Sequence, residues 1–147
     1  MYQIAIDPGL RGTGYCVFLD GKPHEVGTIN PKGTTQSERL CNLSDALRQC
    51  YNRLRTEHGE FPSEVAIEEW HQHFERFKFA SMVKCAEARG VIMAVSFEYA
   101  DTVRYISKGK TKKSQADLLA KQFGFREGSE HAKDALHLGI LAGYLNG

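Results

Sequence analysis

Apolar residues along this chain recur at two periods. Residues 2–7 (Tyr-Gln-Ile-Ala-Ile-Asp) and 13–19 (Thr-Gly-Tyr-Cys-Val-Phe-Leu) are apolar runs of strand length, and residues 24–30 follow as a third. Asp20-Gly21 lies between the last two, a dipeptide that suits a tight hairpin because both residues tolerate positive φ. The period then lengthens. Leu40, Leu43, Leu47, Tyr51 and Leu54 return at helical spacing, behind a capping box of Thr35 and Glu38 and ahead of a terminating Gly59. Val65-Ala66-Ile67 predicts a short strand that ends at Glu68. A helix is predicted over residues 78–98, with Phe79, Val83, Ala86, Gly90, Val91 and Ala94 as its inner face. Val103-Arg104-Tyr105-Ile106 reads as a fifth strand. Two more helices are predicted, over 113–123, closed by Gly124, and over 131–145, where Leu138, Leu141 and Leu145 share a face with Asp134. The order β-β-β-α-β-α-β-α-α, a meander followed by alternation, predicts an α/β fold with one five-stranded mixed sheet and helices on both faces.

At 147 residues the chain supports one domain, residues 1–147, with a sizeable core, and is short for two. Its apolar runs fall well short of a membrane span, and Met1-Tyr2-Gln3 lacks the basic start of a signal peptide, so a cytoplasmic protein is expected. Cys16, Cys41, Cys50 and Cys85 show no paired metal-ligand spacing and fall within apolar patterns, which predicts buried free thiols in a reducing compartment. The formal net charge of +1 identifies no partner, but its distribution is uneven. Lys108, Lys110, Lys112 and Lys113 crowd together after Arg104. Such a run is either a solvated face or a contact for backbone phosphate.

Three acidic residues stand at the edges of apolar elements: Asp7, Glu68 and Asp134. After Asp7 the chain turns through Pro8-Gly9, Pro8 fixing φ and Gly9 permitting a positive one. A carboxylate at a strand end is placed to hold a hard cation, although Asp before Pro-Gly is also ordinary turn chemistry. Glu69 follows Glu68 directly, and strand alternation sends the two to opposite faces, so Glu68 goes to the site and Glu69 to the rim. Read alone, Glu68 could equally start a helix and Asp134 could be an exposed helical carboxylate.

The segments Ile-Asp-Pro-Gly with Gly12-Thr13-Gly14-Tyr15, Ala66-Ile67-Glu68, Glu87-Ala88-Arg89-Gly90-Val91, Lys113-Ser114-Gln115 and His131-Ala132-Lys133-Asp134-Ala135-Leu136 occur in this order. Together they resemble the RuvC family of Holliday-junction resolvases, nucleases of the ribonuclease H-like fold, from the first strand to the last helix. The resemblance implies a metal site of Asp7, Glu68, His131 and Asp134. His131 takes a position that is often aspartate in the family, and its i, i+3 spacing puts it on one helix face with Asp134. His137, three residues beyond Asp134, is the competing imidazole. The family's chemistry is phosphodiester hydrolysis with two divalent ions about 3.5–4 Å apart, Mg²⁺ with Mn²⁺ as a substitute.

The resemblance further implies that Lys113 acts near the scissile phosphate, with Arg104 or Lys108 as a second basic residue. It makes Trp70, His71 and Phe74 candidates for stacking at a junction crossover, against a core position for Trp70. Lys110 and Lys112 join these as DNA contacts. The implied function is a homodimeric endonuclease acting on four-way or branched DNA in a bacterial or phage-infected cell, with no membrane or small-molecule substrate. The helix over 78–98 is the candidate dimer interface. Other readings are a relative acting on flaps, forks or RNA, an actin-like phosphate-binding ATPase, and a DNA-binding module without activity. The length of the chain weighs against the second, and retention of Asp7, Glu68 and Asp134 against the third.

Overall fold

A computed structural model describes residues 1–9, 12–69, 79–107, 114–125 and 130–146. The elements are β1 (Tyr2–Asp7), β2 (Thr13–Leu19), β3 (Lys22–Ile29), α1 (Gln36–His58), β4 (Glu64–Glu68), α2 (Phe79–Tyr99), β5 (Thr102–Ile106), α3 (Ser114–Gln122) and α4 (Glu130–Leu141). The five strands form one sheet in the order β3-β2-β1-β4-β5. β1, β2 and β3 are an antiparallel meander, while β4 and β5 run parallel to β1. The hairpin between β2 and β3 turns at Asp20 and Gly21, whose φ values of 50° and 79° are the paired positive angles that Asp-Gly accommodates.

Alternation along the strands sorts the core into two layers. Tyr2, Ile4 and Ile6 of β1, with Val65 and Ile67 of β4, pack beneath Leu43, Leu47, Tyr51 and Leu54 of α1 and Ile92 and Val95 of α2. Ala5 and Ala66 face the other way, toward Ala135, Leu136 and Leu138 of α4. The interior β1 and β4 strands are therefore apolar on both faces, as a covered sheet requires. Small residues line the α4 side and let that helix lie close to the strands. Gly139 of α4 has no room for a Cβ against the Phe18 ring.

α1 is capped as its sequence predicts, with a shift of one residue. Thr35 Oγ1 accepts from Glu38 N at 3.1 Å, while the Glu38 carboxylate accepts from Thr34 N at 2.9 Å. Gly59 ends the helix at φ 77°, its N–H bonded to Arg55 O. Tyr51 then ties α1 to α2, through a 2.7 Å hydrogen bond with Ser96 and a stacked ring pair with Tyr99.

Three expectations are corrected. The inner face of α2 is Ala88, Val91, Ile92, Val95 and Ser96; Phe79, Val83, Ala86, Gly90 and Ala94 are exposed. Small and apolar residues surround this helix, so hydrophobic spacing alone picked the wrong stripe. α4 stops at Leu141 rather than continuing to 145. Gly143 takes φ 84°, and the pair Gly143 N to Ile140 O and Tyr144 N to Gly139 O closes a Schellman motif. Of the cysteines, all free, Cys16 alone is buried, Cys50 and Cys85 are partly so, and Cys41 is exposed on the outer side of α1. Among the described residues no helix is long and apolar enough to cross a membrane.

Candidate metal centre

The alternation that sends Ile4 and Ile6 toward α1 sends Ala5 and Asp7 toward α4. Asp7 is only 4% exposed, an uncommon placement for a carboxylate, at the C-terminal end of the central strand. Its neighbour across the β1–β2 ladder is Gly14. A Cβ on Gly14 would occupy the place of the His131 backbone carbonyl, so the first turn of α4 rests directly on that glycine. This close approach brings His131 and Asp134 to Asp7. His131 Nδ1 lies 3.2 Å from Asp7 Oδ2, and one ligand atom from each of Asp7, His131 and Asp134 falls within 4.8 Å of the others.

Gly9 serves the same approach. The sequence suggests a positive φ there, but Gly9 is absent from the residues with positive φ. A Cβ at Gly9 would instead collide with the Gly12 carbonyl and the His131 ring, so absence of a side chain, not backbone freedom, is what this position needs.

Glu68 ends β4. Ile6 pairs with Ile67, so the next residues, Asp7 and Glu68, end adjacent parallel strands, and Glu68 shares the α4-facing parity of Ala66. Its carboxylate lies outside the compact group of Asp7, His131 and Asp134. Glu69 is exposed at the rim, its N–H donated to Ile106 O. His137 is buried in α4 and is not part of the group, which leaves His131 as the imidazole beside Asp7.

The basic and aromatic candidates divide differently. Lys108, Lys110, Lys112, Lys113, Trp70, His71 and Phe74 lie outside the described residues. Arg104, expected as a DNA contact or second basic residue, is engaged elsewhere. Its guanidinium is 3.1 Å from Glu64 at the opposite end of β4, donates to Ala142 O and lies over the Tyr144 ring. It fastens the end of α4 to the sheet. Two features beside the centre were given no role from the sequence. A groove of about 410 Å³ runs past Gly9 and Thr13, with Arg39 and Lys84 on its walls. Arg89 of α2 is only partly exposed; burial lowers its guanidinium pKa, and Glu68 and, more weakly, Asp7 are among the groups that oppose this. The segment Glu87-Ala88-Arg89-Gly90-Val91 among the ordered motifs was the available signal.

Two carboxylates and an imidazole converging from two elements form a donor set suited to a divalent cation. Without a cation, clustered carboxylates repel each other, so the arrangement costs stability unless something positive offsets it.

Residues 3–140 match the family described as Crossover junction endodeoxyribonuclease RuvC. Proteins of that name from Paramagnetospirillum magneticum and Parvibaculum lavamentivorans are 29% and 31% identical to this chain. The first alignment covers 100% of this chain and 93% of the relative, the second 93% and 83%. Thermus thermophilus RuvC, 19% identical, superposes with a TM-score of 0.74 over 98% of this chain and 94% of its own. T. thermophilus RuvC in complex with a Holliday junction substrate gives the same score at 20% identity, and a yeast mitochondrial Holliday junction resolvase gives 0.56 at 15%. Those three likenesses speak for the ribonuclease H-like fold, whereas the family match and the curated relatives carry the assignment: the chain belongs to the RuvC family.

Proposed function

We propose that this protein is a metal-dependent endodeoxyribonuclease that resolves four-way DNA junctions by paired nicks in symmetric strands. The observation that carries the reading is the meeting of Asp7, His131 and Asp134 at the end of the sheet in a chain of this family. Asp7, His131 and Asp134, with Glu68 at the adjoining strand end, would hold Mg²⁺ or Mn²⁺, two ions per centre. Such ions activate a water for attack at phosphorus and stabilise charge on the departing oxygen. The residues themselves do the positioning. Asp7 is fixed by the β1–β2 ladder and Asp134 by the α4 helix, so their oxygens need little rearrangement to receive a cation. Breaking the P–O3′ bond leaves a 5′-phosphate and a 3′-hydroxyl. Lys113 is proposed to act on charge at the phosphate, with Lys108, Lys110 and Lys112 holding the DNA backbone. Trp70, His71 and Phe74 are proposed to stack at the crossover.

Cutting two symmetric strands needs two centres, and each chain has one, so the working unit is proposed to be a twofold homodimer. The exposed apolar side of α2 supports this face as the contact. Phe79 is 78% and Val83 41% exposed, and Leu40 of α1 lines the adjoining surface.

A labelled four-way junction, a linear duplex and a flap are incubated with the protein in EDTA, Mg²⁺ or Mn²⁺. Symmetric nicks are expected in the junction only, and only with a cation. Mn²⁺ should serve at least as well as Mg²⁺, because imidazole suits the softer ion. Equal cutting of all three substrates, or cutting in EDTA, would contradict the proposal.

A further inference from the structure

α2 returns from β4 to its parallel neighbour β5, so it runs antiparallel to both and its first turns overhang the strand ends at which Asp7 and Glu68 stand. One contact fixes where each turn falls. Tyr105 of β5 pairs with Ile67 of β4, and its hydroxyl donates to Met93 Sδ of α2 at 3.0 Å. Arg89 precedes Met93 by four residues, on the same side of the helix and just over one turn, about 6 Å, nearer its N-terminus. Glu68 lies one residue, about 3.3 Å, beyond Ile67 in the same direction. Helical side chains also lean toward the helix N-terminus, which carries the guanidinium further over the strand ends. Ala88, beside Arg89, lines the same groove as Gly9 and Thr13 at the edge of the centre. The charge environment agrees with this placement. Burial lowers the Arg89 pKa, opposed first by Glu68, then by Tyr105, Cys85 and Asp7.

We propose that Arg89 is a positioning residue that holds the Glu68 carboxylate from the α2 side and offsets the repulsion among Asp7, Glu68 and Asp134. Glu68 is outside the compact group of Asp7, His131 and Asp134 and ends the strand next to that of Asp7, so its carboxylate is positioned from elsewhere than α4 alone. A cation set across the strand ends offsets the repulsion between the carboxylates and orients Glu68 while no metal is bound. The inference rests on the reading of Glu68 as a site residue.

The test uses the full chain carrying Arg89→Met, Arg89→Lys, Glu68→Gln, and Arg89→Met with Glu68→Gln. Thermal unfolding in EDTA reads the metal-free protein, and calorimetric titration with Mn²⁺ reads the empty centre without DNA. Arg89→Met is expected to lower the unfolding midpoint. Adding Glu68→Gln should restore part of that loss, because it removes the carboxylate left without its cation. Arg89→Lys should fall between wild type and Arg89→Met. Mn²⁺ affinity should change several-fold in Arg89→Met, and the rate of cutting bound junction should fall by on the order of tenfold to a hundredfold with junction affinity little altered. Strictly additive midpoints together with unchanged Mn²⁺ affinity would overturn the proposal. So would a loss in Arg89→Met confined to junction affinity and its salt dependence, which would make Arg89 a phosphate contact. The two readings fail separately. Coupling in EDTA from a wild type that cuts no junction would uphold the role of Arg89 and remove the nuclease.

Discussion

Gly14 does more for the proposed metal centre than its lack of a side chain suggests. It faces Asp7 across the ladder and supports the His131 carbonyl, so one hydrogen atom in place of a methyl decides whether α4 can bring His131 and Asp134 to Asp7. Gly14→Ala is expected to push the start of α4 away from β1, lowering stability by roughly 1–3 kcal/mol through overpacking. It should remove measurable Mn²⁺ binding as well; calorimetry and thermal unfolding on one preparation check both, and a variant that keeps wild-type Mn²⁺ affinity would show that α4 does not need this contact. At this scale the sequence was partly legible. Asp7, His131 and Asp134 were identifiable from their positions in ordered motifs. The reason for Gly9 was not, because a close approach between residues so far apart in sequence leaves no local pattern, whereas Pro-Gly strongly suggests a turn.

Among the elements, a charged network joins α1 to β3 beside their apolar contact. Glu25 of β3 accepts from Tyr15 Oη at 2.8 Å and from Arg53 of α1 at 3.0 Å, and Arg53 also reaches Glu57. Burial alone would raise the Glu25 pKa, but the hydrogen bonds from Arg53 and Tyr15 prevail and hold it below its ordinary 4.5. A folded-state pKa that is depressed contributes stability above the unfolded value, and that contribution disappears as pH falls through the folded one. Glu25→Gln should therefore lower the unfolding midpoint near neutral pH, and its difference from wild type should shrink once the pH drops below about 4.5 and vanish under more acidic conditions. Unfolding scans across pH measure this, and a difference that stays constant into acid would place the stabilising role elsewhere. α1 was readable because its stripe is apolar on one side and charged on the other. α2 was misread because alanine, glycine, valine and phenylalanine occupy its outer side as well, and only the contacts with Tyr51, Tyr99 and the sheet select the buried one.

For the whole molecule, the outer side of α2 bears on assembly. Phe79 and Val83 stand exposed beside Leu40, and burying them in a twofold contact would gain roughly 1.5–3 kcal/mol per large side chain. The proposed dimer should sediment as a pair of chains, and Phe79→Asp with Val83→Asp should give monomers that keep the fold. Unchanged sedimentation of that double variant would move the interface elsewhere. The order of elements and the mixed sheet could be read from the chain because the meander and the alternating segments have different periods and distinct turns. The way the strand ends meet could not, since it follows from the β1–β4 register and the seating of α4 on Gly14. The central claim is that the carboxylates gathered there cut four-way DNA with a divalent ion. The most direct measurement is single-turnover cleavage of a labelled junction by wild type and Asp7→Asn in Mg²⁺, with junction binding followed in the same samples. Wild type should nick symmetric strands, while Asp7→Asn should bind the junction with similar affinity and leave it uncut; full cleavage by Asp7→Asn would contradict the account.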